Sequence, residues 1–166
     1  MFRFLFPRLT PAEPRNTALF SAAVAESRKP FWYADLGVPD TLDGRFSVLA
    51  TVCAFVAVRL ERGDESAQQA GAGLVERFVE SMDHEHRQLG YGDPTLGKIV
   101  RKLTGALSAR VDRVRAVVNA GSGWNEEAAE GLNGVIASAA AGDALKSLWQ
   151  RLEASPDGRV VGGEWA

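Results

Sequence analysis

The chain has 166 residues, 46% hydrophobic and 24% charged, with a net charge of −2. That balance suits one globular domain with a core of its own, and excludes a disordered chain or a polyelectrolyte. The lone cysteine, Cys53, excludes an internal disulfide; in an apolar run it reads as a small core residue, consistent with a reducing compartment.

Residues 1–16, with Pro7, Pro11 and Pro14, read as an irregular extension. Met1 to Leu9 is apolar with two arginines, but Pro7 and Arg8 cut it off. A signal peptide needs about 7–15 apolar residues and a cleavage site, so secretion is not expected. Phe2, Phe4 and Phe6 would make only a weak interfacial anchor. A first helix is predicted over 16–28, with Leu19, Phe20 and Val24 on one face and Pro30 as its stop. Residues 31–42 read as loop or short turns, interrupted by Gly37 and Pro39, with Trp32 and Tyr33 as lids on the core.

The next helix begins near Asp43, capped by Asp43 or Thr41, and runs about 18 residues through the apolar block Phe46 to Val58. Its Val and Phe content makes a buried strand the rival, but its length and lack of internal turn signals favour helix. Apolar on nearly all sides, it should be the centre of a bundle, and it is shorter than the about 20 apolar residues that span a bilayer. A third helix is predicted over 65–88, with Leu74, Val75, Phe78, Met82 and Leu89 as its core stripe and Gly71 and Gly73 weakening its start. Gly90 is placed as the left-handed residue that ends it.

Asp93-Pro94 predicts an N-cap followed by a helix to about residue 119. Leu96, Val100, Leu103, Leu107, Val111, Val114 and Val118 share its inner side, and Lys98, Lys102 and Arg113 fall opposite. Between residues 97 and 119, six basic residues face one acid, Asp112, giving +5; residues 120–166 carry seven acids and three bases, giving −4. The basic segment signals a local binding surface, with Lys98, Arg101, Lys102, Arg110 and Arg113 as its candidate residues, against the plainer reading of a solvated helix face. Its candidate partners are acidic lipid, ribosomal RNA or acidic protein segments, though no aromatics interleave to support base stacking. Two more helices are predicted over 125–140 and 143–154, and residues 155–166 read as a flexible tail. The fold class is all-α, a single-domain bundle of five to six helices spanning residues 17–154.

Signs of catalysis are thin. His84 and His86, two apart on a helix, point about 200° apart and cannot share a metal as an i, i+4 pair does. Glu80–His84 and Asp83–Arg87 have the spacing of ordinary surface pairs. There is no nucleophile elbow, phosphate loop, dinucleotide fingerprint or paired-cysteine site, so no enzyme, metal or cofactor is expected. Arg45, at a helix start that disfavours a cation, calls for a carboxylate partner, Asp40 or Asp83, as a buried ion pair. Gly90, Gly92 and Asp93 read as a structural cap rather than an anion site.

Two blocks resemble the ubiquinol–cytochrome c chaperone family. The first is Tyr33 to Leu60, with Gly37-Val38-Pro39-Asp40-Thr41, Asp43-Gly44-Arg45-Phe46 and Arg59-Leu60 in the family's order. The second is Phe78 to Arg110, with Met82-Asp83, Arg87, Gly90-x-Gly92-Asp93, Lys98, Lys102 and Arg110. The chain departs from the pattern at Val52, Gln88 and Ala109, where the family usually has histidine, glutamate and glycine. The resemblance implies a non-catalytic factor that binds newly made cytochrome b during assembly of the bc1 complex. It further implies a small accessory protein, the ribosome or an anionic membrane surface as partners, without DNA. The expected location is cytoplasmic or peripheral at the inner face of the inner membrane. Loop-organising roles are expected of Trp32, Tyr33, Asp40, Asp43, Gly44, Arg45, Asp83, Arg87, Gly90, Gly92 and Asp93. Two other readings stay open on the residues alone: a helical haem or small-molecule binder using His84 or His86, and a scaffold subunit of a respiratory assembly.

Overall fold

The computed structural model describes residues 17–88, 90, 92–132 and 138–165, without the side chains of residues 85, 86 and 93. The extension over residues 1–16 lies outside them, as do Leu89, Tyr91 and the His86 side chain. Among the described residues the chain is all-helical, in the order α1 Thr17–Ser27, α2 Phe31–Ala34, α3 Leu42–Glu61, α4 Glu65–Gln88, α5 Asp93–Ala120, α6 Trp124–Gly131, α7 Ala139–Ala154 and α8 Asp157–Val161. The six longer helices correspond to those read from the sequence.

The organising element is α3, with thirteen of its twenty residues buried. Helices α1, α4, α5, α6, α7 and α8 all pack against it. Between Thr51 and Val58 every residue is buried, so no side of the helix is left for water. The strand alternative is thereby settled as helix. Thr51, the polar residue in the middle of this run, keeps its hydroxyl satisfied by donating to the Gly131 carbonyl, 3.1 Å away. Burial pushes the Cys53 thiol up to about 12, so it stays protonated and inert.

The neighbours are shaped to fit. On α4, a Cβ at Gly71 would lie 3.3 Å from Leu60 Cβ, so the small residue lets α3 and α4 approach closely. Phe78 of α4 meets Phe46 of α3 with ring centroids 5.8 Å apart, and Phe55 stacks on Trp124 of α6 at 6.2 Å. Helix α5 presents Leu96, Leu107 and Val114 fully inward, with Leu103, Val111 and Val118 half-buried beside them. Its cap differs by one position from the reading above: Gly92 occupies the N-cap and Asp93 is the first helical residue.

Two expectations about the C-terminal third are corrected. Helix α6 ends at Gly131, short of the expected 140, and residues 133–137 lie outside the description. Helix α7 starts four residues early at Ala139 because Ser138 caps it, its hydroxyl accepting from the Ala141 N–H at 3.2 Å. The supposed tail is part of the fold. Val160 and Trp165 are buried, and α8 packs on α1, α3 and α4.

Arg59, near the end of α3, fastens that segment. Its guanidinium donates to the carbonyls of Leu152 and Ser155 and to the Asp157 carboxylate at 2.7 Å. Asp157 also accepts from the Asp64 backbone N–H at 2.8 Å. That N–H and then Arg59 hold its carboxyl below the usual aspartate value of 3.8. On the other side, Glu26 of α1 is buried yet stays below the usual carboxylate range: burial opposes its charge, but the hydrogen bonds from Arg151 of α7 and from Lys29 outweigh it.

The buried C-terminus generates a test. Trp165→Ala should cost about 3–5 kcal/mol in urea unfolding, as for other buried tryptophans. A frayed tail would leave the midpoint unchanged. Asp157→Asn should flatten the acid limb, because a depressed carboxyl adds stability that is present above pH 3.8 and lost as pH falls through its lower folded value.

Candidate functional site: an apolar groove at the open end of the bundle

The C-terminal end of α3 is closed by Arg59 and α8; its N-terminal end is open. There α1, the loop before α3, α4 and α5 enclose a groove of about 1190 Å3. Phe20 and Val24 of α1, Phe46 and Leu49 of α3, Met82 of α4 and Leu103 of α5 supply its apolar surface. Arg28, Tyr33, Asp40, Asp43, Arg45 and Gln88 supply the polar rim. Leu42, at the mouth, is 57% exposed, the one large hydrophobic side chain so exposed among the described residues.

The first motif block builds the rim. Trp32 is buried and its indole N–H donates to the Glu26 carbonyl at 2.9 Å, while the Tyr33 hydroxyl donates to the Ser27 carbonyl at 2.8 Å. These bonds tie α2 back onto the end of α1, so Trp32 is the core lid expected of it, and Tyr33 lines the groove. Burial pushes the tyrosine pKa up, with Arg45 opposing and Asp40 adding to the shift, so its phenol keeps its proton. Val38 anchors the loop in the core. Thr41, rather than Asp43, caps α3: its hydroxyl accepts from the Gly44 N–H at 3.2 Å. Gly44 is dictated by space, since a Cβ there would lie 1.8 Å from the Pro39 carbonyl oxygen. Asp43 is left exposed on the rim.

Arg45 pairs with Asp40 at 2.6 Å, the first of its two candidate partners. The pair is exposed on both sides, at 66% and 58%, which corrects the expectation of a buried one. Asp83 instead pairs with Arg87 at 2.8 Å on α4. Beyond it Gly90 has φ +85° and ends the helix as expected. The His84 ring shares a hydrogen bond with Gln88 at 2.8 Å and stands exposed; no histidine lines the groove among the described residues. No group of side chains suited to a metal ion occurs among them either.

The basic face of α5 is narrower than the sequence suggested. Lys98, Arg101 and Lys102 are exposed. Arg110 is turned inward: it donates to the carbonyls of Ala106 and Gly131 and lies over the Phe46 ring at 5.7 Å. Arg113 reaches α6, where its Nε donates to the buried Glu127 carboxylate at 3.0 Å. Glu127 is 3% exposed. Burial raises its pKa despite the pull of Arg113 and Arg110. These two arginines dock α6 rather than face solvent, and fourteen residues separate Arg113 from Glu127, so no local spacing announced the pair.

Both motif-bearing stretches border the groove, the first through Tyr33, Asp40, Asp43, Arg45 and Phe46 and the second through Met82, while Asp83, Arg87, Lys98, Lys102 and Arg110 lie away from its lining. A family model, the ubiquinol-cytochrome C chaperone, matches residues 34–144, more than half of the chain. The chain belongs to the ubiquinol–cytochrome c chaperone family. A search of curated proteins finds no match. The crystal structure of the Cbp3 homolog from Brucella abortus shares the fold, with a TM-score of 0.76 at 21% identity over 90% of this chain and 86% of that one. Val52, where the family resemblance would put histidine, is fully buried in α3, and Gln88 and Ala109 are exposed. No described helix is long and apolar enough to cross a membrane.

The inward arginine makes a further test. Arg113→Ala should cost about 3 kcal/mol, because it strands a buried carboxylate. Glu127 already has a raised pKa, so it destabilises increasingly as pH rises from 4.5 through its folded value. The loss in Arg113→Ala should therefore be larger at pH 8 than at pH 5 in paired urea melts, whereas Lys102→Ala should change neither.

Proposed function

We propose that the protein is a non-catalytic chaperone that binds unassembled cytochrome b and supports assembly of the ubiquinol–cytochrome c reductase. The observation that carries this reading is the groove: both motif-bearing stretches border it, and its interior is apolar. A newly made membrane protein exposes apolar helices, and an apolar groove with a polar rim is the surface that receives one, as in other helix-in-groove complexes. The α1 wall, from Phe20 to Arg28, is about 12 Å long by helix rise, room for about two turns of a client helix. The rim's mixed charges, Arg28, Asp43 and the Arg45–Asp40 pair, would meet the client's polar flanks. The protein would act at the inner face of the membrane that receives cytochrome b, with a small accessory protein or the ribosome as further partners. The haem-binding alternative gains no support from the groove, whose described lining has no histidine to act as axial ligand.

Leu42→Asp separates binding from folding. Leu42 is the first residue of α3, where a carboxylate suits the helix dipole, and it is exposed, so thermal stability should hold. Losing a buried leucine contact with the client costs about 1.5–3 kcal/mol, roughly ten- to a hundredfold in affinity. Pull-down on the tagged variant should recover much less unassembled cytochrome b, with lower bc1 content in the membranes. Undiminished capture would reject the groove as the client site.

A further inference from the structure

Eleven of the sixteen described basic side chains are occupied within the molecule. Nine of them hold a carboxylate at 3.2 Å or less. Arg62 bonds Asn119 and covers the Trp149 ring, and Arg110 is spent on two backbone carbonyls. Five remain with no ion pair among the described residues, and three of these fall within one stretch of α5: Lys98, Arg101 and Lys102. At spacings of three and four residues they share one helix face. Lys146 stands apart on α7, and Arg28 belongs to the groove rim.

The surface around the three cations is plain. The exposed positions of α5 beside and beyond them are Gly97, Gly105, Ser108 and Ala109, which carry no bulky or aromatic group. The next described acid along α5, Asp112, is already bonded to Arg115 at 2.7 Å. A nucleic-acid platform would need aromatic faces between the bases, and α5 carries no aromatic residue. What remains is an exposed cluster of positive charge with no ion pair among the described residues, the kind of surface that an extended negative plane attracts. One residue on, Leu103 turns into the groove, so the helix that bears the cations is also a groove wall.

We propose that the outer face of α5, through Lys98, Arg101 and Lys102, docks the protein on an anionic phospholipid bilayer. This deepens the peripheral placement proposed above and assigns its contact. Docking on that face sets a wall of the client groove at the lipid surface, where an apolar helix would enter from the membrane side. With only three cations the attachment is weak and reversible: each contributes about a fivefold gain in partitioning near an anionic surface, so salt releases it.

The test is cosedimentation of the purified full chain with vesicles of phosphatidylcholine alone, or of phosphatidylcholine with phosphatidylglycerol. Binding is expected only to the second kind, falling steeply as salt rises. K98E/R101E/K102E should abolish it at unchanged thermal stability, while K146E should leave it intact. Should the triple variant fold poorly, Lys98→Gln and Lys102→Gln each lower partitioning about fivefold. Absence of wild-type binding at low salt, equal binding by the charge-reversed chain, or stronger dependence on these residues for an RNA homopolymer than for vesicles would each overturn the proposal. The assay contains no cytochrome b, so its failure leaves the groove reading standing, and capture of cytochrome b does not decide it.

Discussion

The structure depends on the burial of α3 from every side. The apolar run within α3 cannot stand in water on any face, so the other helices are arranged to cover it. The polar groups on it are placed where they can be satisfied: Thr51 on the Gly131 carbonyl, Arg59 on the last turn of α7 and on Asp157, the first residue of α8. That arrangement makes the two ends unequal. At the C-terminal end Arg59 and Asp157 draw α7, α8 and the α3–α4 turn together. At the N-terminal end α3 begins against a loop, and the coverage stops short, leaving Phe46 and Leu49 to line an open groove.

This asymmetry relates the fold to its family role. The first motif block is mostly architecture: Val38 pins the loop, Thr41 caps the helix, and Gly44 lets the first turn pass the Pro39 carbonyl. Their joint product is a rim of fixed shape. Buried ion pairs then hold the covering helices in place, Glu26 with Arg151 across α1 and α7, and Glu127 with Arg113 across α6 and α5. A buried pair specifies position more than it stabilises. Here they fix α1 and α5, two of the groove walls, against α7 and α6.

Much of this was legible in the sequence, and what was hidden has a common cause. The limits of α4 and the central placement of α3 follow from periodicity and from glycine punctuation, which are local signals. The left-handed Gly90 and the Thr41 cap are local as well. By contrast, residues 155–166 looked like a tail because glycine and proline make up four of the twelve; the segment up to Trp165 is held by Trp165 and Val160 entering a core built by distant elements and by Arg59, 98 positions before Asp157. Arg110 and Arg113 looked like members of an outer basic face because helical phase alone cannot see Gly131 and Glu127 arriving from α6. The early end of α6 is marked in the sequence by Gly131 and the Asn133-Gly134 pair, breakers that the apolar pattern resuming at Val135 and Ile136 masks. The groove was implied only through the family blocks; no spacing rule reveals which apolar positions a fold leaves uncovered.

The central claim is that the open end of this bundle serves cytochrome b before the bc1 complex is complete. The most direct measurement is the reduced-minus-oxidised spectrum of membranes from a strain lacking the gene, repeated after complementation with the wild-type and Leu42→Asp chains. The account predicts a diminished b-type signal that the wild-type chain restores and Leu42→Asp does not. A normal b-type signal in the deletion strain, or equal restoration by both chains, would contradict it.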